Sequence, residues 1–253
     1  MRIVYGVNPV RELLAAGSEV SELWLQEGGV RAAPELDRLG REAGANVRHA
    51  QRSRLDRVAG SDRHQGVVAV VADFRYSELN DLLDAAKKAG EPALLVVLDG
   101  VEDPHNLGAV IRSAQALGAH GVIIPRDRAV GVTAVTSKAS AGAVERCKVA
   151  RVTNLARSLK EIKEAGVWTV AFAADGEKTL DQVDLAGPIA LVFGSEGEGV
   201  RPLVRKTCDF VVRIPMKGGF ESLNVSATAA VALYEAARQR DARVEKRPSY
   251  LPT

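Results

Sequence analysis

The feature that most constrains the fold of this 253-residue chain is a series of short, continuously apolar segments from residue 93 onward. Helical patterns lie between several of them. The segments occupy residues 93–98, 121–125, 167–173, 189–193 and 210–214. Strands without a polar face are typical of a parallel sheet that helices cover on both sides. The sequence therefore predicts an α/β domain with a parallel sheet over residues 92–240, closed by an alanine-rich helix.

A second, smaller α/β unit is predicted before this domain, over residues 1–72. Strand patterns lie at 22–26 and 67–72, and an amphipathic helical pattern lies at 32–43. Residues 73–91 predict a helical linker, because a narrow leucine stripe there ends at Gly90 and Pro92. Residues 241–253 are expected to form a loose tail.

Composition sets limits on the function. The formal net charge is only +2, so any nucleic-acid contact has to depend on a local patch, and aromatic residues make up 4%, which disfavours an extended stacking platform. Cys147 and Cys208 have no C-x-x-C spacing, so no metal site is expected. Two lone thiols, and apolar runs near the N-terminus too short for a signal peptide or a membrane span, predict a cytoplasmic protein.

One local charge patch stands out within the first unit. Residues 48–63 hold five arginines against two aspartates, which is an excess of three positive charges. Two interpretations stay open, a solvated helix face and a face that contacts RNA. The residues that we predict to bind RNA are Arg52, Arg54 and Arg57.

Candidate site residues follow the strands, because ligands of open parallel sheets bind at the carboxyl ends of the strands. The first such loop, at residues 99–112, contains Asn106 and Arg112. Asn106 is either a helix cap or a functional amide, and Arg112 is either a surface ion-pair partner or a functional cation. The acidic residues of this loop and His105 do not complete a metal coordination shell.

The second loop is Gly-Ser-Glu-Gly-Glu-Gly at residues 194–199. Three glycines let the backbone approach a ligand closely, although a tight structural turn has the same composition. The order of glycines is not the dinucleotide fingerprint, and no Walker lysine follows. Glu196 is the chemical group of interest there. The third loop, at 214–226, brings Ser222 and Asn224 to the start of the last helix, where both are caps or site residues.

Taken in order, the motifs of these loops resemble the SpoU (TrmH) branch of the SPOUT RNA methyltransferases. They are N-x-G-x-x-x-R at 106–112, F-G-S-E-G-x-G at 193–199, and I-P-M followed by S-L-N-V-S over 214–226. The resemblance covers about residues 92–240. Residues 1–72, with Y-G-V-N-P-V-R-E-L-L at 5–14 and R-H-Q-G-V-V-A-V-V at 63–71, resemble the small L30e-like substrate-binding domain of one subgroup. That subgroup is typified by enzymes that methylate a guanosine ribose in large-subunit (23S) ribosomal RNA.

This resemblance implies a parallel α/β fold with a C-terminal trefoil knot. It also implies S-adenosylmethionine as cofactor, bound mostly by backbone at Gly194, Ile214 and Leu223. RNA is the implied substrate, as 23S ribosomal RNA or as an assembling large subunit. Family members are homodimers with the active site near the interface, so a homodimer without a membrane attachment is expected.

The implied reaction transfers a methyl group from a sulfonium to a ribose 2′-hydroxyl. Relatives place an arginine where Arg112 stands, and Asn106 and Glu196 would orient it. Ser222 and Asn224 would complete the pocket. A guanidinium hardly gives up its proton, so we expect Arg112 to hold the adjacent phosphate and stabilise the oxygen. The proton acceptor stays open between the phosphate, water and an unusual arginine.

Three other functions share part of these sequence features. A transfer-RNA methyltransferase or a resistance-type ribosomal-RNA methyltransferase of the same family would share the motifs. A non-catalytic RNA-binding protein would be expected to have lost some of the five catalytic candidates, and all are present. A Rossmann-type nucleotide enzyme would need the glycine fingerprint after the first strand of the catalytic domain.

Overall fold

The structure of the chain is a computed structural model that describes residues 1–218 and 222–245. Gly219 of the third loop and the predicted tail beyond residue 245 lie outside the described residues. The strands are β1 (Arg2–Tyr5), β2 (Val20–Gln26), β3 (Asn46–Ala50), β4 (Val67–Val71), β5 (Leu94–Asp99), β6 (Gly121–Pro125), β7 (Val149–Val152), β8 (Trp168–Phe172), β9 (Lys178–Thr179), β10 (Ile189–Gly194) and β11 (Phe210–Arg213). The α-helices are α1 (Val7–Ala15), α2 (Ala33–Glu42), α3 (Arg52–Ala59), α4 (Leu79–Ala89), α5 (Pro104–Ala116), α6 (Ala134–Ala139), α7 (Leu155–Glu164), α8 (Pro202–Thr207) and α9 (Val225–Glu245).

The described residues divide into two compact units. The first contains Met1–Arg75, Asp103–Arg112 and Val130–Cys147. The second contains Tyr76–Glu102, Ser113–Ala129 and the described residues from Lys148 onward. Helix α4, in the segment that the sequence assigns to a linker, buries its leucine stripe in the core of the second unit. The domain boundaries at residues 72 and 92 stay a prediction.

The sheet of the first unit has the order β1-β4-β2-β3. Strand β4 pairs antiparallel with β1 and β2, and β3 pairs parallel with β2. Alternate residues of β2 pack into two different hydrophobic cores, one on each face of the sheet, because successive side chains of a strand point to opposite faces. Leu23 packs with α1 and α2, whereas Trp24 packs with Leu55 of α3 and Tyr5 of β1.

Helix α6 and the turn after it pack as part of this first unit. Arg2 of β1 donates to Ser137 Oγ at 3.0 Å and pairs with Glu145 at 2.5 Å, and the Glu145 side chain is only 2% exposed. Gly108 of α5 lies against α6, where a Cβ atom would be 2.8 Å from the carbonyl oxygen of Thr136 and 2.9 Å from the amide nitrogen of Ser140. The glycine of the first motif is therefore a close helix contact.

Helix α5 begins earlier than the sequence predicts. Its first residue is Pro104, and Asp103 accepts the amide of His105 at 2.9 Å. Asn106 therefore lies in the first turn, and its interpretation as a helix cap is wrong. Proline at the first helical position behind an aspartate is the stronger start signal.

The sheet of the second unit has the order β7-β6-β5-β10-β8-β11-β9 within the described residues, and every pairing in it is parallel. This confirms the predicted α/β class. The continuous apolar runs are fully buried, as in β5 and β6. Strands β7 and β9 have no such run and were not predicted.

Strand β11 lies between β8 and β9, although β8 and β9 follow each other in the chain. The connection from β8 to β9 therefore has to cross β11. Gly176 makes this crossing close, since a Cβ atom there would be 2.5 Å from the carbonyl carbon of Val212. Connections rarely cross in this way. The crossing is compatible with a trefoil knot, which stays a prediction.

Helix α9 packs its small residues against this sheet. Ala229, Ala232 and Ala236 are fully buried. Near its end, the Arg240 guanidinium donates to the carbonyl oxygens of Pro92 at 2.7 Å and of Ala93 and Gly187 at 2.9 Å. These oxygens precede β5 and β10, so Arg240 fixes the helix to the amino ends of two central strands.

Candidate active site

A cavity of about 370 Å³ lies at the carboxyl ends of β8, β10 and β11. Its volume is within the range of small-molecule sites, about 300–1,000 Å³. Phe172, the last residue of β8, and Phe193, the second-last residue of β10, form an apolar wall, with ring centroids 4.7 Å apart. Residues of the glycine loop and of the segment before α9 also line the cavity. The cavity therefore combines an apolar wall with exposed backbone.

The glycine loop at 194–199 folds back on itself. The amide of Gly199 donates to the Ser195 carbonyl at 3.0 Å, and the amide of Ser195 donates in return at 3.2 Å. A Cβ atom at Gly194 would lie 1.9 Å from the carbonyl carbon of Gly199 and 2.1 Å from the amide nitrogen of Val200. Gly199 has a φ of 67°. The loop is therefore both a tight turn and a backbone wall of the cavity.

A buried carboxylate fixes the end of this loop. Asp99 ends β5 beside Gly194 and is 1% exposed. Its oxygens accept the backbone amide of Arg201 at 2.8 Å and the Arg201 Nε at 2.7 Å. Charge-assisted bonds of this kind hold geometry strongly. Asp99 therefore holds the residues that follow the loop.

Asn224 has two roles that the sequence left as alternatives. Its Oδ1 accepts the amide of Ser226 at 2.9 Å and the Ser226 hydroxyl at 2.6 Å, so it caps α9. Its Nδ2 donates to Glu196 Oε1. The cap of the last helix is therefore hydrogen bonded to the acid of the glycine loop.

The structure brings most of the predicted site residues together. Gly194, Glu196, Ile214, Ser222 and Leu223 all line the cavity. Asn224 contacts it through Glu196.

Two predicted site residues lie in the other unit. Asn106 and Arg112 are on α5, in the part that belongs to the first unit. Asn106 is half-buried and Arg112 is exposed. Their assignment to this site depends on the motif alone, and all the residue roles stay predictions.

The segment 173–175 after β8 also lines the cavity, and sequence reasoning missed it. Asp175 accepts from Arg205 at 3.0 Å, and this hydrogen bond holds the pKa of the carboxyl below its ordinary value. The segment carries no motif, but its position after a strand was a usable signal. Three carboxylates, those of Asp175, Glu196 and Glu198, and one guanidinium, that of Arg205, line the cavity, and this excess of negative charge suits a small ligand that carries positive charge.

The predicted RNA-contacting arginines lie on α3 of the first unit and are exposed. Arg54 and Arg48 both lie over the Trp24 ring, at 5.3 and 5.0 Å from its centroid. Arg52 donates to the Asp62 carbonyl at 2.9 Å and lies 4.0 Å from Asp56. Arg57 donates to the Ser53 carbonyl at 3.4 Å. Arg52 is therefore the most locally neutralised of the three.

Both cysteines are free thiols. Burial raises the pKa of Cys147 to about 12, and burial together with the charge of Asp209 raises that of Cys208 to about 12. Neither is a thiolate at neutral pH, so neither is a candidate nucleophile. No helix in the described part of the chain is both long and apolar enough to span a bilayer.

Two family models match the chain. Residues 93–234 match the SpoU rRNA Methylase family, and residues 3–77 match the domain described as RNA 2′-O ribose methyltransferase substrate binding. The predicted family is therefore confirmed.

Individual relatives extend over most of the chain. A putative TrmH family tRNA/rRNA methyltransferase, YacO of Bacillus subtilis, is 44% identical over 94% of this chain and 96% of its own. The 23S rRNA (guanosine-2′-O-)-methyltransferase RlmB of Ralstonia nicotianae is 51% identical over 78% of this chain and 79% of its own. The SpoU methyltransferase AviRb of Streptomyces viridochromogenes, solved with AdoMet, is 29% identical with a TM-score of 0.81, over 95% of this chain and 90% of its own.

Proposed function

Because the chain belongs to the SpoU rRNA methylase family, we propose that it methylates the ribose 2′-hydroxyl of a guanosine in 23S ribosomal RNA, with S-adenosylmethionine as donor. The observation that carries the proposal is the cavity at the strand ends, walled by a backbone loop and by phenylalanines. The enzyme named for this reaction in Ralstonia nicotianae shares half of its aligned residues with this chain. The matched N-terminal domain supports an RNA substrate, and the relatives named for 23S rRNA support ribosomal over transfer RNA.

The residues of the cavity fit this cofactor. The aromatic pair Phe172–Phe193 provides an apolar surface for an adenine ring, and the loop at 194–199 presents backbone groups. The carboxylates there suit its positive sulfonium and ammonium groups. When bound, the cofactor supplies an activated methyl group. The chain's own task is then to align the ribose hydroxyl and to exclude competing acceptors.

Arg112 is proposed to hold the phosphate next to the target ribose and to stabilise the oxygen as it loses its proton. A guanidinium presents five donors in a rigid fork that matches a phosphate. Asn106 and Glu196 are proposed to orient Arg112, with Ser222 and Asn224 completing the pocket. The bond between Asn224 and Glu196 supports this assignment, because it fixes the acid that would pair with the guanidinium.

The first unit is proposed to bind RNA through α3. Arg54 and Arg57 are expected to contribute more than Arg52, because Arg52 already has Asp56 and the Asp62 carbonyl as partners. Replacing Arg54 and Arg57 with alanine should weaken RNA binding and lower its salt slope by about 1–2. The matched control removes Arg38 and Arg41, which form ion pairs along α2. Equal effects in both variants would contradict the assignment.

The chain is also proposed to act as a homodimer in the cytoplasm, where its RNA substrate would be found. Support for the dimer comes from α9. Tyr234 and Val231 are 62% and 40% exposed on the helix whose other side packs against the sheet. The two side chains are three positions apart on the helix and so lie side by side, and a contiguous exposed apolar patch is characteristic of an association surface. Sedimentation at micromolar concentration, with Tyr234→Glu as the disrupting variant, tests the association.

The function is tested by methyl transfer from labelled S-adenosylmethionine to separated 23S ribosomal RNA, 16S ribosomal RNA and transfer RNA. Label in 23S RNA, lost in Arg112→Ala and Glu196→Ala, supports the proposal. Label in transfer RNA would support the proposed methyl transfer and refute 23S ribosomal RNA as the substrate. If deproteinised RNA takes no label, an assembling large subunit is the substrate to test next. Cofactor binding without label in either substrate would refute the proposal.

A further inference from the structure

The cavity at the strand ends has a closed apolar side and an open charged side. Phe172 and Phe193, which form its aromatic wall, are only 7% and 1% exposed. The Asp175 carboxylate, three residues after Phe172, accepts a hydrogen bond from the Arg205 guanidinium at 3.0 Å. Both groups line the cavity, and their side chains are 70% and 36% exposed. An ion pair that solvent and ligands can reach is therefore part of the cavity.

Arg205 is the only cation among the described residues that line this cavity. It lies on α8, and Arg201, the residue before that helix, is held by the buried carboxylate of Asp99. The same bonds that fix the end of the glycine loop therefore also fix the start of the helix that carries Arg205. A ligand with a negative group has one guanidinium to bind in this lining.

We propose that the Asp175–Arg205 pair binds the amino-acid end of S-adenosylmethionine, with Arg205 on its carboxylate and Asp175 on its ammonium group. The inference rests on the cofactor of the proposed function and names the residues that recognise its charged end. Near neutral pH this end carries one negative and one positive charge. A guanidinium and a carboxylate 3.0 Å apart present the opposite charges side by side.

The exposure of the pair favours this role over a purely structural one. Exposed ion pairs contribute little to the stability of a fold, because water solvates both charges well. Asp175 and Arg205 can therefore exchange each other for the two charged groups of a ligand at little cost. The buried phenylalanines beside them offer the apolar surface that the adenine ring of the same ligand requires.

The charges of the cavity also disfavour other adenosine compounds. The carboxylates of Asp175, Glu196 and Glu198 outnumber the single guanidinium of Arg205. Adenosine phosphates have the same adenosine part but carry only negative charges, which the excess of carboxylates repels. S-adenosylmethionine carries a sulfonium and an ammonium group against one carboxylate. Its charges therefore match the signs of the lining.

The test compares the binding of three ligands to the full chain by calorimetric titration. They are S-adenosylmethionine, its decarboxylated form, which lacks only the carboxylate, and methylthioadenosine, which lacks the whole amino-acid end and the sulfonium charge. The wild type should bind S-adenosylmethionine about 10-fold more tightly than the decarboxylated form, a modest ratio for a charge-assisted bond because Arg205 is partly exposed. In Arg205→Gln this ratio should fall to about 1.

A second variant tests the partner of the ammonium group. Asp175→Asn should weaken the binding of decarboxylated S-adenosylmethionine, which keeps its ammonium group, and should leave that of methylthioadenosine unchanged. The matched control is Lys206→Gln, which removes a cation from the next position of α8, outside the lining of the cavity. It should change none of the three affinities.

The outcomes separate this inference from the proposed function. An unchanged ratio in Arg205→Gln, with methyl transfer to RNA intact, would overturn the inference and leave the function standing. Equal weakening of all three ligands would also overturn it, because the pair would then only hold the shape of the cavity. The predicted ratios in a chain that methylates no RNA would uphold the inference and refute the proposed function.

Discussion

Gly194 is the residue of the cavity that leaves least space for a side chain. The backbone of Gly199 and Val200 occupies the position where a Cβ atom would lie, so a side chain has to displace the loop. Gly197 of the same loop is open, since nothing lies within 4 Å of its Cβ position. Substitutions at Gly194 and Gly197 therefore distinguish a steric requirement for close backbone contact from a general preference of the loop for glycine.

Gly194→Ala should therefore abolish binding of S-adenosylmethionine and cost about 1–3 kcal/mol in the free energy of unfolding. Gly197→Ala should keep the stability and most of the affinity. Calorimetric titration with the cofactor and denaturant unfolding measure the two effects. Unchanged affinity in Gly194→Ala would place the cofactor elsewhere.

Asn224 allows its two roles to be separated. Asn224→Asp keeps the oxygen that caps α9 but replaces the amide that donates to Glu196 with a second carboxylate. We expect near-normal stability with strongly reduced methyl transfer. Asn224→Ala should lose both the cap of α9 and the hydrogen bond to Glu196, and should lower the free energy of unfolding by about 1 kcal/mol. Full activity in Asn224→Asp would show that the bond to Glu196 has no part in the reaction.

At the scale of elements, the contact between α5 and α6 depends on Gly108. The two helices meet where a Cβ atom would lie within 3 Å of α6 backbone atoms. In an open helix, replacing glycine with alanine stabilises by about 1 kcal/mol. At Gly108 we expect the same substitution to destabilise the protein, because the added Cβ atom would clash with α6.

Gly108→Ala should therefore lower the melting temperature and also lower kcat, because it shifts the helix that carries Arg112. Gln115→Ala, at an exposed position of the same helix, is the control and should change neither. Thermal unfolding and single-turnover methyl transfer provide the measurements. A stabilised, fully active Gly108→Ala would mean that α5 and α6 do not pack as described.

At the scale of the whole molecule, stability should fall in mild acid. Burial lowers the pKa of His120 below its ordinary value of about 6.5, against the opposing charge of Glu91. Its Nδ1 accepts the Leu94 amide at 3.0 Å. A lowered pKa means that the unfolded chain binds the proton more readily. The contribution of His120 is therefore complete above pH 6.5 and is lost as the pH falls through its folded pKa.

His120→Asn keeps an acceptor near the Leu94 amide and cannot titrate. The variant should lose less stability than the wild type between pH 7 and 5. Urea unfolding at several pH values tests this. Identical pH profiles for the two proteins would show that His120 does not control the acid sensitivity.

Much of this architecture could be predicted from the sequence. The fully apolar runs identified the central strands, and the strand-end rule identified the loops of Gly194 and Ile214 as neighbours. The segment at 173–175 follows a strand, which was a usable signal, but it was missed because the order β10-β8-β11 decides which strand ends share the cavity and no local pattern encodes that order. The Asp99–Arg201 clamp joins residues 102 positions apart and depends on the same strand order.

The central claim is that the chain methylates a ribose hydroxyl of guanosine in ribosomal RNA. The most direct measurement is digestion of 23S RNA to nucleosides after incubation with the protein and labelled S-adenosylmethionine. The account predicts that the label elutes as 2′-O-methylguanosine, and that Arg112→Ala yields none. Label on a base, or on the ribose of another nucleoside, would contradict it.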